Sequence, residues 1–483
     1  MRSAAVAFIL SIVCGTILTP LVRRFAQRIG ALDHAYSSRK IHARPIPRLG
    51  GVAIVLAFFA PLVGLLFFHA GVNDLYLAER EKVIGLFAGG ILIALLGVYD
   101  DLRGAGAGRK FTVQFAVAGL MYALGYRIEA LANPFGAELQ LGVASLPFTL
   151  FWIVGVINAM NLIDGLDGLA GGVALVAVLT TFLISLQRGH PLMVLFSGAL
   201  AGAILGFLFY NFNPATIFMG DTGSMFLGFV LATSAIQTNQ KSTTAVAVLI
   251  PGIALGLPII DTLLAMGRRA LRGRPIFQAD KEHIHHRLLA RGLSHRQAVL
   301  VLYGFCVVLG AVALILTYTN SVQSAFLLLA LCVVAFVALR ALGYMRLDRM
   351  SETTAERKKN KALRAAARPL GQRLRQVRTL EETWSIVTEA GAVFGAVVVR
   401  VGPSPSFLHE FEQTAVDPSE MFEVRFALPG NSCGLELGWR DGRREIDRDT
   451  EIAVDIFCEH LADAMSRIAA ASRAAAEPRP AAN

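Results

Sequence analysis

The hydrophobic positions of this chain fall in long blocks separated by short polar stretches. A block of roughly 17–25 mostly apolar residues can cross a bilayer as one helix. Eleven blocks qualify, centred near Ile12, Ala60, Ile91, Ala118, Ile153, Val178, Gly202, Val230, Ile253, Val308 and Val333. The pattern predicts an all-α polytopic membrane protein of about eleven transmembrane helices. The first block, Ala4 to Leu21, reads as an uncleaved span, because its basic cluster Arg23, Arg24 and Arg28 follows the apolar run.

After Leu347 the pattern changes. Ser351 to Arg378 is basic and Ala-rich and reads as a helix leaving the membrane. Helix-like periodicity over Glu381 to Phe394 and Thr450 to Ile468 brackets strand-like runs at Ala396 to Val401, Phe422 to Leu428 and Gly434 to Trp439. The expected organisation is a transmembrane domain over 1–347, a basic helical linker over 348–379, a soluble α/β accessory domain over 380–470 and a disordered tail over 471–483. The α/β segment faintly resembles a GAF-like sensor domain, but it carries no binding motif.

Composition narrows the class. The chain is 55% hydrophobic and only 17% charged, with a mean hydropathy of +0.57. Soluble globular chains carry about 25% charged residues. An ordinary cytosolic enzyme and a disordered chain are both excluded. The net charge of +10 favours an anionic membrane surface over nucleic acid in so apolar a chain. The five cysteines form no Cys-x-x-Cys pair, which argues against a disulfide framework or a zinc site. One alternate set of loops holds 18 Lys and Arg and the other holds six, so the first set should face the cytoplasm. The N-terminus then lies outside, and the odd helix count puts the C-terminus inside.

Four polar clusters fall on that cytoplasmic side. Acids and amides at the ends of membrane helices are costly unless they are paired or functional. Asp100-Asp101, with Lys110 nearby, suits a cation, although alone it reads equally well as two solvated charges ending a helix. Asn158, Asn161, Asp164 and Asp167 recur every three residues, on one helical face, and run into glycines. In Phe218-Met-Gly-Asp221-Thr-Gly-Ser an acid sits at a helix start, which suits phosphate with Mg²⁺; Asn211 lies just before it, and a plain N-cap is the bland reading. His283, His285, His286 and Arg287 lie in the most basic loop and suit phosphate or sugar hydroxyls, or alternatively anionic lipid. A fifth stretch, Arg39 to Gly51, is basic and held extended by two prolines. Together the clusters suit phosphoryl transfer at a membrane face.

The motifs Asp100-Asp101, Asn158-x-x-Asn161-x-x-Asp164-Gly-x-Asp167-Gly-Leu, Phe218-Met-Gly-Asp221-x-Gly-Ser and His283-Ile-His285-His286-Arg287-Leu closely resemble the polyprenyl-phosphate N-acetylhexosamine-1-phosphate transferases over residues 1–347. The resemblance implies that undecaprenyl phosphate attacks the β-phosphorus of a UDP-sugar and releases UMP. It implies Mg²⁺, with Mn²⁺ as substitute, held by Asp221 and Asn161. Asp100 and Asp101 would deprotonate or position the lipid phosphate, Lys110 would neutralise charge, and Asp164 and Asp167 would organise the nucleotide side. Asn158, Asn211, Phe218, His283, His285, His286 and Arg287 would bind substrate. A homodimer is expected by analogy. The His-Ile-His-His-Arg-Leu run resembles the GlcNAc-1-phosphate branch more than the phospho-MurNAc-pentapeptide branch. Two non-enzyme classes stay open, a secondary transporter and a degenerate sensor on the same scaffold. A transporter should show repeat symmetry and midplane acids, and a degenerate sensor should lack a motif residue.

Overall fold

The computed structural model describes residues 2–33, 45–68, 70–131, 139–239, 249–271, 283–319, 321–341, 363, 365, 368–402, 409–412, 421–429, 433–442, 446 and 448–476. Arg39, Lys40, His42 and Arg44 of the fifth stretch, and nearly all of the basic linker before residue 368, lie outside the described residues. The chain divides into two units, Met1–Gly267 with Phe277–Arg346, and Arg268–Ile276 with Leu347–Asn483.

The first unit is helical. Its order is α1 (Arg2–Arg28), β1 (Leu32–Asp33), β2 (Ile46–Pro47), α2 (Gly50–Phe68), α3 (Ala70–Ala78), α4 (Arg80–Arg103), α5 (Ala107–Ala123), β3 (Ala130–Leu131), β4 (Leu139–Gln140), α6 (Ser145–Ile163), α7 (Leu169–Gln187), α8 (Pro191–Asn211), α9 (Gly220–Asn239), α10 (Leu249–Ala254), α11 (Gly256–Leu271), α12 (Ile284–Leu289), α13 (His295–Leu316) and α14 (Ser321–Ala341). Among the described residues, seven helices are long and apolar enough to cross a membrane: α1, α2, α4, α6, α7, α8 and α13. The chain is a polytopic membrane protein. All eleven expected centres fall in helices, but the remaining four stretches are shorter, broken or more polar. The block near Ile253 is split into α10 and α11. Pro258 has no N–H to give to the carbonyl of Ala254, so the helix breaks at Leu255.

Helix α1 shows why the bundle packs. Small residues Ala4, Ala7, Ser11, Gly15 and Thr19 form its buried face. Ile9, Val13, Ile17 and Leu21 form an exposed apolar row suited to lipid. The small face meets α8 so closely that a Cβ on Gly202 would lie 2.3 Å from the Phe8 carbonyl oxygen. Small residues at such crossings let backbones approach and gain dispersion contacts. Helix α9 runs through the centre, packed on α2, α4, α6 and α7, with Phe226, Leu227, Phe229 and Val230 fully buried.

In the second unit, α15 (Leu380–Val393) opens with a capping box made by Thr379 and Glu382. It is followed by β5 (Val398–Gly402), β6 (His409–Glu412), β7 (Phe422–Ala427), β8 (Gly434–Trp439) and α16 (Arg448–Ala476). The strands form one antiparallel sheet in the order β6-β5-β8-β7. Val399 and Leu437, directly paired, point into a core with Trp439, Phe457 and Leu461. On the other face Arg400 pairs with Glu410, Glu423 and Glu436 at 2.6, 2.9 and 3.1 Å. Strand β6 was not expected, because two of its four residues are charged and no apolar run marks it. The closing helix runs to Ala476, past the expected start of the tail.

Candidate active site

The site is built around the first turn of α9. Gly220 has φ +69°, a backbone that side chains rarely adopt, and a Cβ there would lie 2.6 Å from Asp101 Oδ2. Asp101 is buried, and its carboxylate caps α9 from the end of α4. Oδ1 accepts from Asp221 N at 2.9 Å, and Oδ2 accepts from Thr222 N at 3.0 Å and Thr222 Oγ1 at 2.6 Å. A second hold comes from the segment after β2. Pro47 O accepts from Phe218 N, Gly50 N donates to Phe218 O, and Gly51 N donates to Met219 O, at 2.8, 2.9 and 2.8 Å. A Cβ on Gly51 would lie 2.0 Å from Gly223 N, so only glycine permits this approach.

Asp100, next to Asp101, points elsewhere. Its Oδ1 accepts from Ala105 N at 2.5 Å, and its main-chain oxygen accepts from Gly104 N at 2.9 Å. These bonds reverse the chain into α5 and bring Lys110 back to the end of α4. Lys110 Nζ bridges the carboxylates of Asp100 and Asp221, 2.5 Å from Asp221 Oδ2. Two acids that would repel each other thus share one ammonium. Asn161 lies against Asp221 and donates Nδ2 to Ser224 Oγ at 3.0 Å, which leaves its carbonyl oxygen as an acceptor.

A cavity of 270 Å³ opens beside Asp221. Its wall includes Asp33, Arg48, Asp164, Asp167, Asn211, Phe218, His286 and His295. Asp164, just beyond α6, has no hydrogen bond to any described residue. Burial, and then the charges of Asp221, Asp101 and Asp167, push its carboxyl up to about 8. Asp167 pins the loop before α9, accepting from Asn213 Nδ2 and Ala215 N at 3.0 Å each.

Helix α12 brings in the histidines. His286 lines the cavity. His285 is buried behind it, close enough that a Cβ on Gly165 would lie 2.6 Å from its Nε2. Among the described residues neither ring nitrogen of His285 has a hydrogen-bond partner, and burial, with His286 nearby, holds its pKa down to about 3. His283 is buried, and its Nδ1 lies 2.8 Å from Asp261 Oδ2. Arg287 follows on the same short helix but does not line the cavity.

The structure engages Asp101, Asn158 and Asn211 elsewhere, and of the expected His283, His285, His286 and Arg287 only His286 lines the cavity. Asp101 does not share the partners of Asp100, because its oxygens are engaged in capping α9. Asn158 does not reach the cavity. Its amide donates to Gln114 Oε1 at 2.7 Å and to Val154 O at 2.8 Å, tying α6 to α5. Asn211 touches the cavity, but both ends of its amide are occupied. Oδ1 accepts from Gly168 N at 3.2 Å, and Nδ2 donates to Ile217 O at 2.9 Å. Sequence reading missed Asp33, His295, Gln114, Thr222 and Asp261. It placed Arg48 only within a basic stretch, and the Pro-Arg-Leu-Gly-Gly turn was the available signal.

Among the described residues, no three His, Cys, Asp or Glu side chains form a closed metal cage. Mg²⁺ commonly takes one or two carboxylates and completes its shell with water and substrate phosphate. Asp221, with Asp100 and Asp164 nearby and the Asn161 amide against it, offers the hard oxygens that such an ion takes.

Comparison with known proteins agrees with this geometry. The family model described as Glycosyl transferase family 4 matches residues 83–239, the stretch from Asp100 to Asp221. A Bacillus subtilis (strain 168) protein described as a probable undecaprenyl-phosphate N-acetylglucosaminyl 1-phosphate transferase is 40% identical over 317 residues, 65% of this chain and 86% of that protein. The decaprenyl-phosphate N-acetylglucosaminephosphotransferase of Mycobacterium tuberculosis (strain CDC 1551 / Oshkosh) is 35% identical over 363 residues, 70% of this chain and 88% of its own. The undecaprenyl-phosphate alpha-N-acetylglucosaminyl 1-phosphate transferase of Escherichia coli O157:H7 is 27% identical over 328 residues, 67% and 86% of the two chains. A helical membrane protein with a carboxylate site at one helix start is the class that fold and site define. The chain belongs to glycosyl transferase family 4.

Proposed function

We propose that the protein transfers GlcNAc-1-phosphate from UDP-GlcNAc to undecaprenyl phosphate. The carrying observation is the meeting of Asp221, Asp100 and Lys110 at the start of α9, beside a cavity that also holds Asp164, Arg48 and His286. The names of the relatives support both the sugar and the polyprenyl acceptor.

In this reading a phosphate oxygen of the lipid attacks the β-phosphorus of the UDP-sugar. The bond from that phosphorus to the bridging oxygen breaks, and UMP leaves with the electron pair. A lipid pyrophosphate carrying the sugar remains. Asp100 orients the lipid phosphate or takes its residual proton, and Lys110 offsets negative charge as the two phosphates approach. Asp221 and Asn161 hold Mg²⁺, or Mn²⁺ in its place, and the ion would supply charge neutralisation on the pyrophosphate. Asp164, Asp167 and Phe218 flank the nucleotide, while His286, His295 and Arg48 meet the sugar-phosphate. A phosphate monoester is a competent nucleophile, so a single displacement suffices.

The proposed topology has eleven crossings of a bacterial inner membrane. The N-terminus lies outside, and the site and the C-terminal accessory domain face the cytoplasm, in keeping with the Lys/Arg distribution.

UMP release by purified protein with undecaprenyl phosphate, UDP-GlcNAc and Mg²⁺, beside an Asp221→Ala control, tests the reading. Release that needs lipid and metal and is lost in the control is expected. Release only with another UDP-sugar corrects the donor, and silence with every donor removes the reading.

A further inference from the structure

Asp261 is a carboxylate in the apolar first half of α11, between Ile260 and Leu263, and only 2% of its surface is exposed. A buried acid in such surroundings costs several kcal/mol unless its oxygens are satisfied. Both are satisfied by one short segment more than twenty residues away. Oδ1 accepts from the backbone N of Ile284 at 2.9 Å, and Oδ2 meets His283 Nδ1 at 2.8 Å. Asp261 thus caps the start of α12 from outside that helix. The Asp261 carboxylate and the His283 ring thus share a hydrogen bond inside the fold.

The consequence runs along α12. His283 and His285 lie with rings parallel, 2° apart in plane and 5.8 Å between centroids. The ring of His285 rests on Gly165, in the turn that carries Asp164 and Asp167, and contacts His286 at 4.3 Å between centroids. His286 forms part of the cavity wall. Helix α12 has only six residues, too few to hold itself in water. Its placement against the cavity therefore depends on its neighbours: Ile284 and Leu288 are buried in the core against α13, and Asp261 holds the first turn.

We propose that Asp261 is a positioning residue: through His283 and the Ile284 backbone it fixes α12 and so presents His286 to the sugar-phosphate part of the donor. This rests on the functional reading above. Asp261 touches no substrate, and its effect passes through α12.

The experiment uses the full chain in detergent. Wild type, Asp261→Asn, Asp261→Ala, His283→Ala and the double variant Asp261→Ala/His283→Ala are compared by steady-state UMP release. Hydrogen exchange of the peptide covering residues 283–289 is followed in parallel. Loss of an outer-shell partner typically costs about 10–100-fold in activity. KM for UDP-GlcNAc should rise about tenfold or more in Asp261→Ala, with KM for undecaprenyl phosphate little changed. His283→Ala should match it, and the double variant should be no worse than either single one. Asp261→Asn, which keeps an acceptor for Ile284 N–H, should lose less. Exchange over 283–289 should quicken in Asp261→Ala. Losses that multiply in the double variant, equal changes for both substrates, or unchanged exchange overturn the proposal. Should Asp261→Ala not fold, His283→Ala and Asp261→Asn carry the same comparison. A silent wild type removes the functional reading alone, and the exchange data then still decide whether Asp261 holds α12.

Discussion

Asp101 and Thr222, 121 positions apart, are joined by two bonds to one carboxylate oxygen: Thr222 N at 3.0 Å and Thr222 Oγ1 at 2.6 Å both donate to Asp101 Oδ2. With Asp221 N on Oδ1, the end of α4 becomes the N-cap of α9. The adjacent acids Asp100 and Asp101 therefore differ in what they do.

Asp101→Ala should lower stability by about 2 kcal/mol, the scale of a lost cap with charge-assisted bonds, and activity should fall with it. Asp100→Asn should abolish most UMP release while leaving the melting temperature within a degree or two. Thermal melts in detergent beside the release assay check this, and equal destabilisation by both changes would refute the division of roles.

Gly97 lies where α4 crosses the start of α9, and a Cβ there would lie 2.3 Å from Thr222 Cα. Backbone cannot yield as a flexible side chain can. Gly97→Ala should cost about 1–3 kcal/mol by overpacking and displace Asp221. A variant with full activity and unchanged melting would show that the two helices separate freely.

Removing the ammonium from Lys110 leaves Asp100 and Asp221 facing each other uncompensated. Lys110→Met should reduce kcat about 10²–10³-fold, the range seen when one preorganised charge partner is lost. Lys110→Arg should recover part of it. Chelation of divalent ions should silence the wild type, and metal-independent release would contradict the roles proposed for Asp221 and Asn161.

His285 sets a pH dependence. Burial holds its pKa down to about 3, against 6.5 for a free histidine. Below about pH 6.5 the unfolded chain binds a proton that the native ring refuses, so stability falls as pH drops toward 3. Between pH 6.5 and 5 this contributes about 2 kcal/mol of loss. His285→Gln, which does not titrate there, should show a shallower fall in melting temperature over that interval. Parallel curves for the two proteins would rule out a ring held neutral.

Much of the site could be read from residues alone. Acids and amides amid apolar blocks carry a cost, so Asp100, Asn161, Asp164, Asp221 and His286 stood out. What could not be read is how neighbours divide. Successive helical residues point about 100° apart, so Asp100 and Asp101 face different partners, and no spacing says which faces the site. Asn158 and Asn211 looked identical to binding amides until Gln114, Gly168 and Ile217 were seen to occupy them. Asp261 went unnoticed because its partner is distant in sequence. The short first half of the ninth apolar block, α10, before the break ahead of Pro258, hid in the same way within one apolar run.

The first turn of α9 is gripped by Gly51, by Asp101 at the end of α4 and by Asn161 in α6, all earlier in the chain. The residues that hold this turn therefore all precede it in the sequence. Without α9, Lys110 would keep Asp100 but lose Asp221, and the cavity would lack one wall. A chain that ended before residue 220 would carry the grip and lack Asp221, His286 and His295, and so would lack the site those residues complete.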